Sequence, residues 1–320
     1  MIASTVLQPP ACIGFIGIGN MGRPMAERLL KAGYSLQVAD KNETAVRDFI
    51  TAHGGTATSS LPALAEWADA AITMLPDGKA VQEVVLGDQG LISRLRAGSI
   101  VVDMSSSDPV GTRELGQVLA GRGIDMVDAP VSGTGPGGAP KRAAEGALAS
   151  MVGGNPAAIA RIRTLLEVVA NRIFLTGPLG SGHAMKALNN LVSAAGLWIA
   201  TEALLVGAQF GLAPEIMVDV LNASSGRNNS TENKLKQQVI SRGFGSGFSV
   251  GLMAKDLRTA RDLAAAMGAF APLTRSCAEL WDEAACRLGH AVDHTAIVRI
   301  LEQRASQGGR VPKSLPRAVS

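Results

Sequence analysis

Short apolar runs, each followed by a stretch of helical periodicity, fill the chain as far as about residue 178. The runs at 12–18, 35–39, 70–75, 99–104, 124–128, 148–152 and 172–175 have the length and apolar character of buried strands. Between the first two, residues 20–31 place Met21, Met25, Leu29 and Leu30 at helical spacing, and Gly33-Tyr34 breaks the pattern. Such alternation predicts an α/β fold built on a doubly wound parallel sheet. Beyond Gly182 no strand-like run remains, so an all-helical C-terminal domain should follow. Its main element, 184–210, is apolar on nearly every side and stops at Gly211 and Pro214. A helix of that kind must be buried, within its own domain or against another subunit. Its most apolar part, 191–206, contains Glu202 and reads as short of a membrane span.

Composition narrows the function classes. A chain of 320 residues is long for one core and suggests domains at 1–179 and 180–303, with a polar basic tail at 304–320. The net charge of +3 equals that of residues 301–320 alone, where Arg304, Arg310, Lys313 and Arg317 stand against Glu302. The remainder is balanced and only 3% aromatic, which argues against nucleic-acid binding. Cys12, Cys277 and Cys286 lack metal-ligand spacing and read as reduced core residues. With no signal peptide in the first eleven residues, a cytoplasmic protein is expected, with no membrane partner and no metal.

The chemistry begins at "GFIGIGNMG", which contains Gly17-x-Gly19-x-x-Gly22 between the first strand and the first helix. A lone motif is weak, but this one sits in a Rossmann-type strand–turn–helix, with Asp40 at the end of the next strand. Gly17 suits the tight turn, Gly19 the approach of a pyrophosphate and Gly22 the packing of helix on strand. Asn20 and Met21 complete the loop, and the helix N-terminus favours phosphates. Asp40 would bind an adenosine ribose and repel a 2′-phosphate, favouring NAD over NADP, though Lys41 beside it softens that choice.

Two later strand ends, "TMLPDG" (73–78) and "DMSSSDP" (103–109), should face the same cofactor, with Ser107 capping the next helix. Three further clusters each admit two readings. "DAPVSGTG" (128–135) is a turn or a carboxylate cradle at Ser132, Gly133 and Thr134. In "GSGHAMKALNN" (180–190), Lys186 either snorkels or is a positioned proton donor, with Gly182 and Asn190 on its helical face and His183 structural. Lys255 in "MAKDLRTA" is salt-bridged or turned toward a ligand.

These motifs, in this order, resemble the β-hydroxyacid dehydrogenase family, which includes 3-hydroxyisobutyrate dehydrogenase and tartronate semialdehyde (2-hydroxy-3-oxopropionate) reductase. The resemblance runs from about residue 12 to about 302. It implies that Lys186 is the catalytic acid/base and that Asn190 holds the substrate or that lysine. It also implies that Ser132 and Gly133 bind the substrate carboxylate, and that Leu75, Pro76, Ser106 and Lys255 line the nicotinamide. Members are commonly dimers or tetramers built through the helical domain, so a homo-oligomer is expected.

The chain departs from the family pattern at Thr134, which stands where a second glycine is usual, and in the longer segment 135–148. The departure leaves the substrate open and the reaction type intact. An imine reductase of this architecture, or a non-catalytic dinucleotide-binding relative, would not need Lys186. A 6-phosphogluconate dehydrogenase-like decarboxylase would need a longer helical domain than 183–320 provides.

Overall fold

The computed structural model describes residues 5–133 and 138–307; Thr134 and the tail from 308 onward lie outside the described residues. The chain divides into two compact units, Met1–Lys186 and Ala187–Ser320.

The first unit is built on a nine-stranded sheet. Its strands are β1 (Cys12–Ile16), β2 (Ser35–Ala39), β3 (Thr56–Ala57), β4 (Ala70–Thr73), β5 (Ile100–Asp103), β6 (Asp125–Asp128), β7 (Val131–Ser132), β8 (Leu148–Gly154) and β9 (Ala170–Gly177). They lie in the order β3-β2-β1-β4-β5-β6-β8-β7, with β9 beside β8. The pairs from β3 through β6 are parallel, as the βα alternation requires. β8 runs antiparallel to β6 and β7, and β9 returns parallel to β8. The order reverses between β1 and β4, which makes their carboxyl ends the expected ligand crevice.

Period-two alternation explains why both faces are covered. Ile13, Phe15, Ile72, Ile100 and Val102 join one buried cluster with Met25 and Leu29. Their chain neighbours Ile16, Ala71 and Val101 join a second with Leu64, Val81, Leu115 and Met126. The first strand is shorter than the apolar run, because Gly17, at φ 95°, turns the chain out of the sheet. The helix expected from residue 20 accordingly starts later, at Gly22–Lys31.

The second unit is helical. It holds most of a 30-residue helix, Ser181–Phe210, followed by Pro214–Ala223, Asn229–Asn233, a π-helical turn Leu235–Ile240, Val250–Ala266, Pro272–Leu288 and Val298–Gln307. Leu197, Leu204, Val239, Leu257, Trp281 and Ile297 form its core. The stretch 191–206 lies within a longer helix, Ser181–Phe210, that is long and apolar enough to cross a membrane by length and composition. Half of its most apolar stretch is buried inside the protein. Cys277 is buried, but Cys12 is half-buried and Cys286 exposed, so the three cysteines do not share a core setting. The last helix extends four residues into the segment expected to be tail.

Candidate active site

The last residues of β1, β4, β5 and β6 stand in one register row: Ile16 beside Thr73, Thr73 beside Asp103, Asp103 beside Asp128. Every polar loop singled out in the first unit leaves from this row or next to it.

The glycine loop leaves β1. A Cβ on Gly17 would lie 2.3 Å from the Met74 carbonyl oxygen, and one on Gly22 only 1.8 Å from the Gly17 oxygen. Close packing therefore dictates both glycines. Gly19 differs, being exposed with open space where its Cβ would point, so a large ligand can approach its backbone. No side chain caps the helix Gly22–Lys31, although Asn42, Ser60, Asp77 and Asp108 cap the next four. Its leading N–H groups are thus left to an anion. Exposed Asn20 and half-buried Met21 flank this end. Asp40 accepts the Ile18 N–H on Oδ2 and the Asn42 N–H on Oδ1, each at 2.9 Å. A carboxylate offers about four acceptor sites, so capacity remains for a ribose diol. The loop fits a dinucleotide.

Asp103, fully buried at the end of β5, organises the next two loops. The Thr73 hydroxyl and the Ser105 N–H donate to its Oδ1 at 2.9 Å, and the Ser107 hydroxyl donates to Oδ2 at 2.7 Å. Ser107 is therefore not the helix cap expected from the sequence. Asp108 has that place, accepting the Gly111 N–H at 2.6 Å, because Ser107 is drawn inward to the carboxylate. The Leu75 N–H donates to Ser105 Oγ at 2.9 Å, which joins the two loops. Pro76 is exposed on the first of them and Ser106 half-buried on the second, between two anchored serines.

Asp128 does for the long helix what Asp103 does for the loops. Its oxygens accept the Gly180 and His183 N–H groups, each at 2.8 Å, and seat the first helical turn on the sheet. A Cβ on Gly182 would lie 2.2 Å from the Met151 oxygen, so only glycine allows this seating. The His183 ring lies between the two carboxylates, Nε2 3.6 Å from Asp103 Oδ2 and Nδ1 3.8 Å from Asp128 Oδ2. The Thr112 hydroxyl donates to the Asp108 carbonyl at 2.7 Å, so it accepts from His183 Nδ1–H at 2.8 Å. Lys186 follows one turn later and is buried. The sequence reading missed Asp103 and Asp128; their signal was an aspartate at each of two successive strand ends.

Ser132 ends β7 opposite Ala149 and is half-buried. Gly133 is hemmed in: its Cβ would stand 3.0 Å from Ala139 Cα, Arg142 Cβ and Leu148 Cδ2.

In the second unit, buried Asn190 donates through Nδ2 to Asp256 Oδ2 at 2.5 Å and accepts from Asn189 at 3.1 Å. Asp256 Oδ1 lies 3.1 Å from Lys255 Nζ, so Lys255 has the ion pair of its plainer reading. The sequence signal for Asp256 is its adjacency to Lys255.

Residues 12–177 match the family profile described as the NAD binding domain of 6-phosphogluconate dehydrogenase. Residues 180–301 match that described as NAD-binding of NADP-dependent 3-hydroxyisobutyrate dehydrogenase. The chain is 36% identical to 2-(hydroxymethyl)glutarate dehydrogenase of Eubacterium barkeri, over 91% of this chain and 95% of that one. It is 34% identical to 2-hydroxy-3-oxopropionate reductase of Escherichia coli K12, over 92% and 98%. A solved structure of Mycobacterium tuberculosis 3-hydroxyisobutyrate dehydrogenase with L-serine superposes with a TM-score of 0.83 at 33% identity, covering 91% of this chain and 99% of that one.

Proposed function

The chain belongs to the β-hydroxyacid dehydrogenase family, and on that premise we propose how its residues divide the work. It is an oxidoreductase acting on small hydroxy acids with NAD, NADP being possible. When bound, the cofactor would supply the hydride donor or acceptor for the carbinol carbon of the substrate.

Lys186 handles the accompanying proton. In oxidation it takes the proton from the substrate hydroxyl; in reduction its ammonium polarises the carbonyl oxygen and returns the proton. Asn190 holds that oxygen or Lys186 itself, and Asp256 fixes the amide by taking its N–H. Ser132 and Gly133 hold the substrate carboxylate, with Thr134 beside them. Gly17, Gly19, Asn20, Met21, Gly22 and Asp40 hold the adenosine and pyrophosphate, while Leu75, Pro76, Ser106 and Lys255 line the nicotinamide. The substrate is of the 3-hydroxyisobutyrate or tartronate semialdehyde type, and the relatives' names extend that range to a dicarboxylate. The protein works in the cytoplasm as a homodimer or homotetramer joined through its helical unit.

One observation carries the assignment of Lys186: it is buried one turn after a helix start that Asp128 and Gly182 fix to the sheet. The test is a screen of purified protein for NADH consumption with small semialdehydes and NAD reduction with 3-hydroxy acids. Failure to turn over any member of either class would overturn this reading.

A further inference from the structure

The helix Ser181–Phe210 carries Lys186, Asn190 and Ser193 at i, i+4 and i+7, on one face and about 10 Å of axis from first to last. The first two have the roles proposed above. Ser193 is half-buried, and its hydroxyl accepts from Lys234 Nζ at 3.2 Å. Lys234 stands between the short helix Asn229–Asn233 and the π-helical turn Leu235–Ile240. This stretch is laid on the long helix: the Ser230 hydroxyl donates to the Ser193 carbonyl at 3.5 Å, and Asn228 Oδ1 lies 3.4 Å from where a Gly196 Cβ would stand.

Lys234 is, among the described residues, a cation without a close counter-charge. Among the described residues Ser193 is its side-chain partner, and no carboxylate comes within the 4.0 Å of an ion pair. Burial pushes its ammonium down to about 8, against the more distant pull of Asp293. Asp293 itself is already occupied, accepting from the Ser246 and Thr295 hydroxyls and the Gly247 and Thr295 N–H groups. The neighbouring His294 is pushed down to about 4, first by burial and then by Lys234, so it is neutral and offers no charge. A snorkelling lysine would send its ammonium to water. This one turns it onto a half-buried serine of the face that bears Lys186 and Asn190. A desolvated cation of this kind is costly unless something supplies the anion, which marks it as a ligand-facing group.

We propose that Lys234, positioned by Ser193, recognises the far end of the substrate, and that this end is a second carboxylate. The proposal rests on the reading of the chain as a hydroxy-acid oxidoreductase. A hydroxy acid handled at Lys186 and Asn190 extends along the helix face toward Ser193, where a dicarboxylate would meet the ammonium and a short monocarboxylate would not reach it. One ammonium and one hydroxyl match a carboxylate. A phosphate, with more charge and three acceptor oxygens, calls for more donors.

The test pairs 3-hydroxyisobutyrate with 2-(hydroxymethyl)glutarate, which adds a carboxylate arm to the same hydroxymethyl acid. It compares wild type, Lys234→Gln and Lys234→Arg. Wild type should favour the dicarboxylate in kcat/KM, and Lys234→Gln should reduce that preference about 10- to 100-fold, mainly through KM, the worth of a charge-assisted hydrogen bond. Lys234→Arg should restore most of it. Calorimetry with glutarate and NAD should show the same weakening in Lys234→Gln without any turnover, and a melting curve checks that the variant is folded. Equal use of both substrates by wild type, or an equal loss on both in a folded Lys234→Gln, would overturn the proposal. So would tighter binding of inorganic phosphate than of glutarate. Binding of glutarate through Lys234 without turnover of either acid would instead sustain the subsite and sink the dehydrogenase reading.

Discussion

Asn190 gives its side-chain N–H to Asp256 at 2.5 Å, and the same carboxylate faces Lys255 Nζ at 3.1 Å from its other oxygen. Asp256 is 4% exposed, so its charge is answered by these two groups rather than by water. Removing Asp256 takes away the acceptor of the Asn190 amide and the ion pair of Lys255 together. Asp256→Ala is expected to lower the melting temperature and to cut kcat by about 10- to 100-fold through loss of Asn190 orientation. Asp256→Asn keeps the shape and should recover much of the stability but not the rate. Thermal melts and steady-state kinetics on both variants check this. Recovery of rate by Asp256→Asn would show that the charge does not orient Asn190.

Lys186→Ala should lower kcat by about 10²–10⁴-fold, the usual contribution of a general acid–base group. NAD affinity should stay within a few-fold, because the glycine loop and Asp40 lie elsewhere on the first unit's sheet. Retained turnover above about a tenth of wild type would remove Lys186 from the proton-transfer role. Fluorescence titration with NADH separates the two effects.

The first unit was legible where the local chain dictates geometry. Gly17 declares its positive φ, Gly22 its packing, and apolar runs their two-sided burial. Ser107 was misread because the neighbouring cap, Asp108, carries an equally good local signal, and only the buried Asp103 decides between them. Asp103 and Asp128 act through register: Thr73, Asp103 and Asp128 come from strands separated by tens of residues, so an aspartate at each strand end marks the residues but not what they align with. β8 was legible as a strand but not as an antiparallel one, since its apolar run carries no direction. Lys234 was invisible as a candidate because its burial depends on a helix forty-one residues earlier in the chain.

Asp40 has two tasks. It is the residue proposed to hold the ribose, and it also accepts the Ile18 N–H that follows β1. NAD(H) should be preferred over NADP(H) in kcat/KM, and Asp40→Ser should erode that preference while raising KM for both cofactors, as the loop loses an anchor. A wild-type preference for the phosphorylated cofactor would transfer control of the site to Lys41 or Asn42.

Stability should fall in mild acid. His294 is 2% exposed and its protonation is pushed down to about 4, chiefly by burial, from the ordinary 6.5. The unfolded chain therefore binds this proton below pH 6.5 while the folded chain does not until about 4. Stability is full above 6.5 and is lost as pH drops through that window, by about 2 kcal/mol at pH 5. Denaturant titrations at pH 7 and 5 should show this loss, and His294→Asn should flatten it. An unchanged slope in the variant would assign the acid sensitivity to other groups.

The last prediction concerns assembly. On the helix Ser181–Phe210, Val192, Ile199 and Val206 are 72%, 61% and 68% exposed, at heptad spacing, with Leu188 on the same stripe. The opposite side is committed to the core through Ala194, Leu197 and Leu204. This accounts for a helix apolar on nearly every side: one half packs within the chain, and the other is left as a seam of the kind that pairs helices. Soluble monomers seldom expose contiguous apolar surface of this extent. A second copy presenting the same stripe about a two-fold axis would cover it, because an isologous contact is self-complementary. Light scattering at micromolar concentration should therefore report a dimer or tetramer. Ile199→Asp, which puts a charge at the centre of the seam, should shift the protein toward single chains. A wild type with the mass of one chain would exclude the assembly, and an Ile199→Asp protein that stays oligomeric would move the interface off this helix.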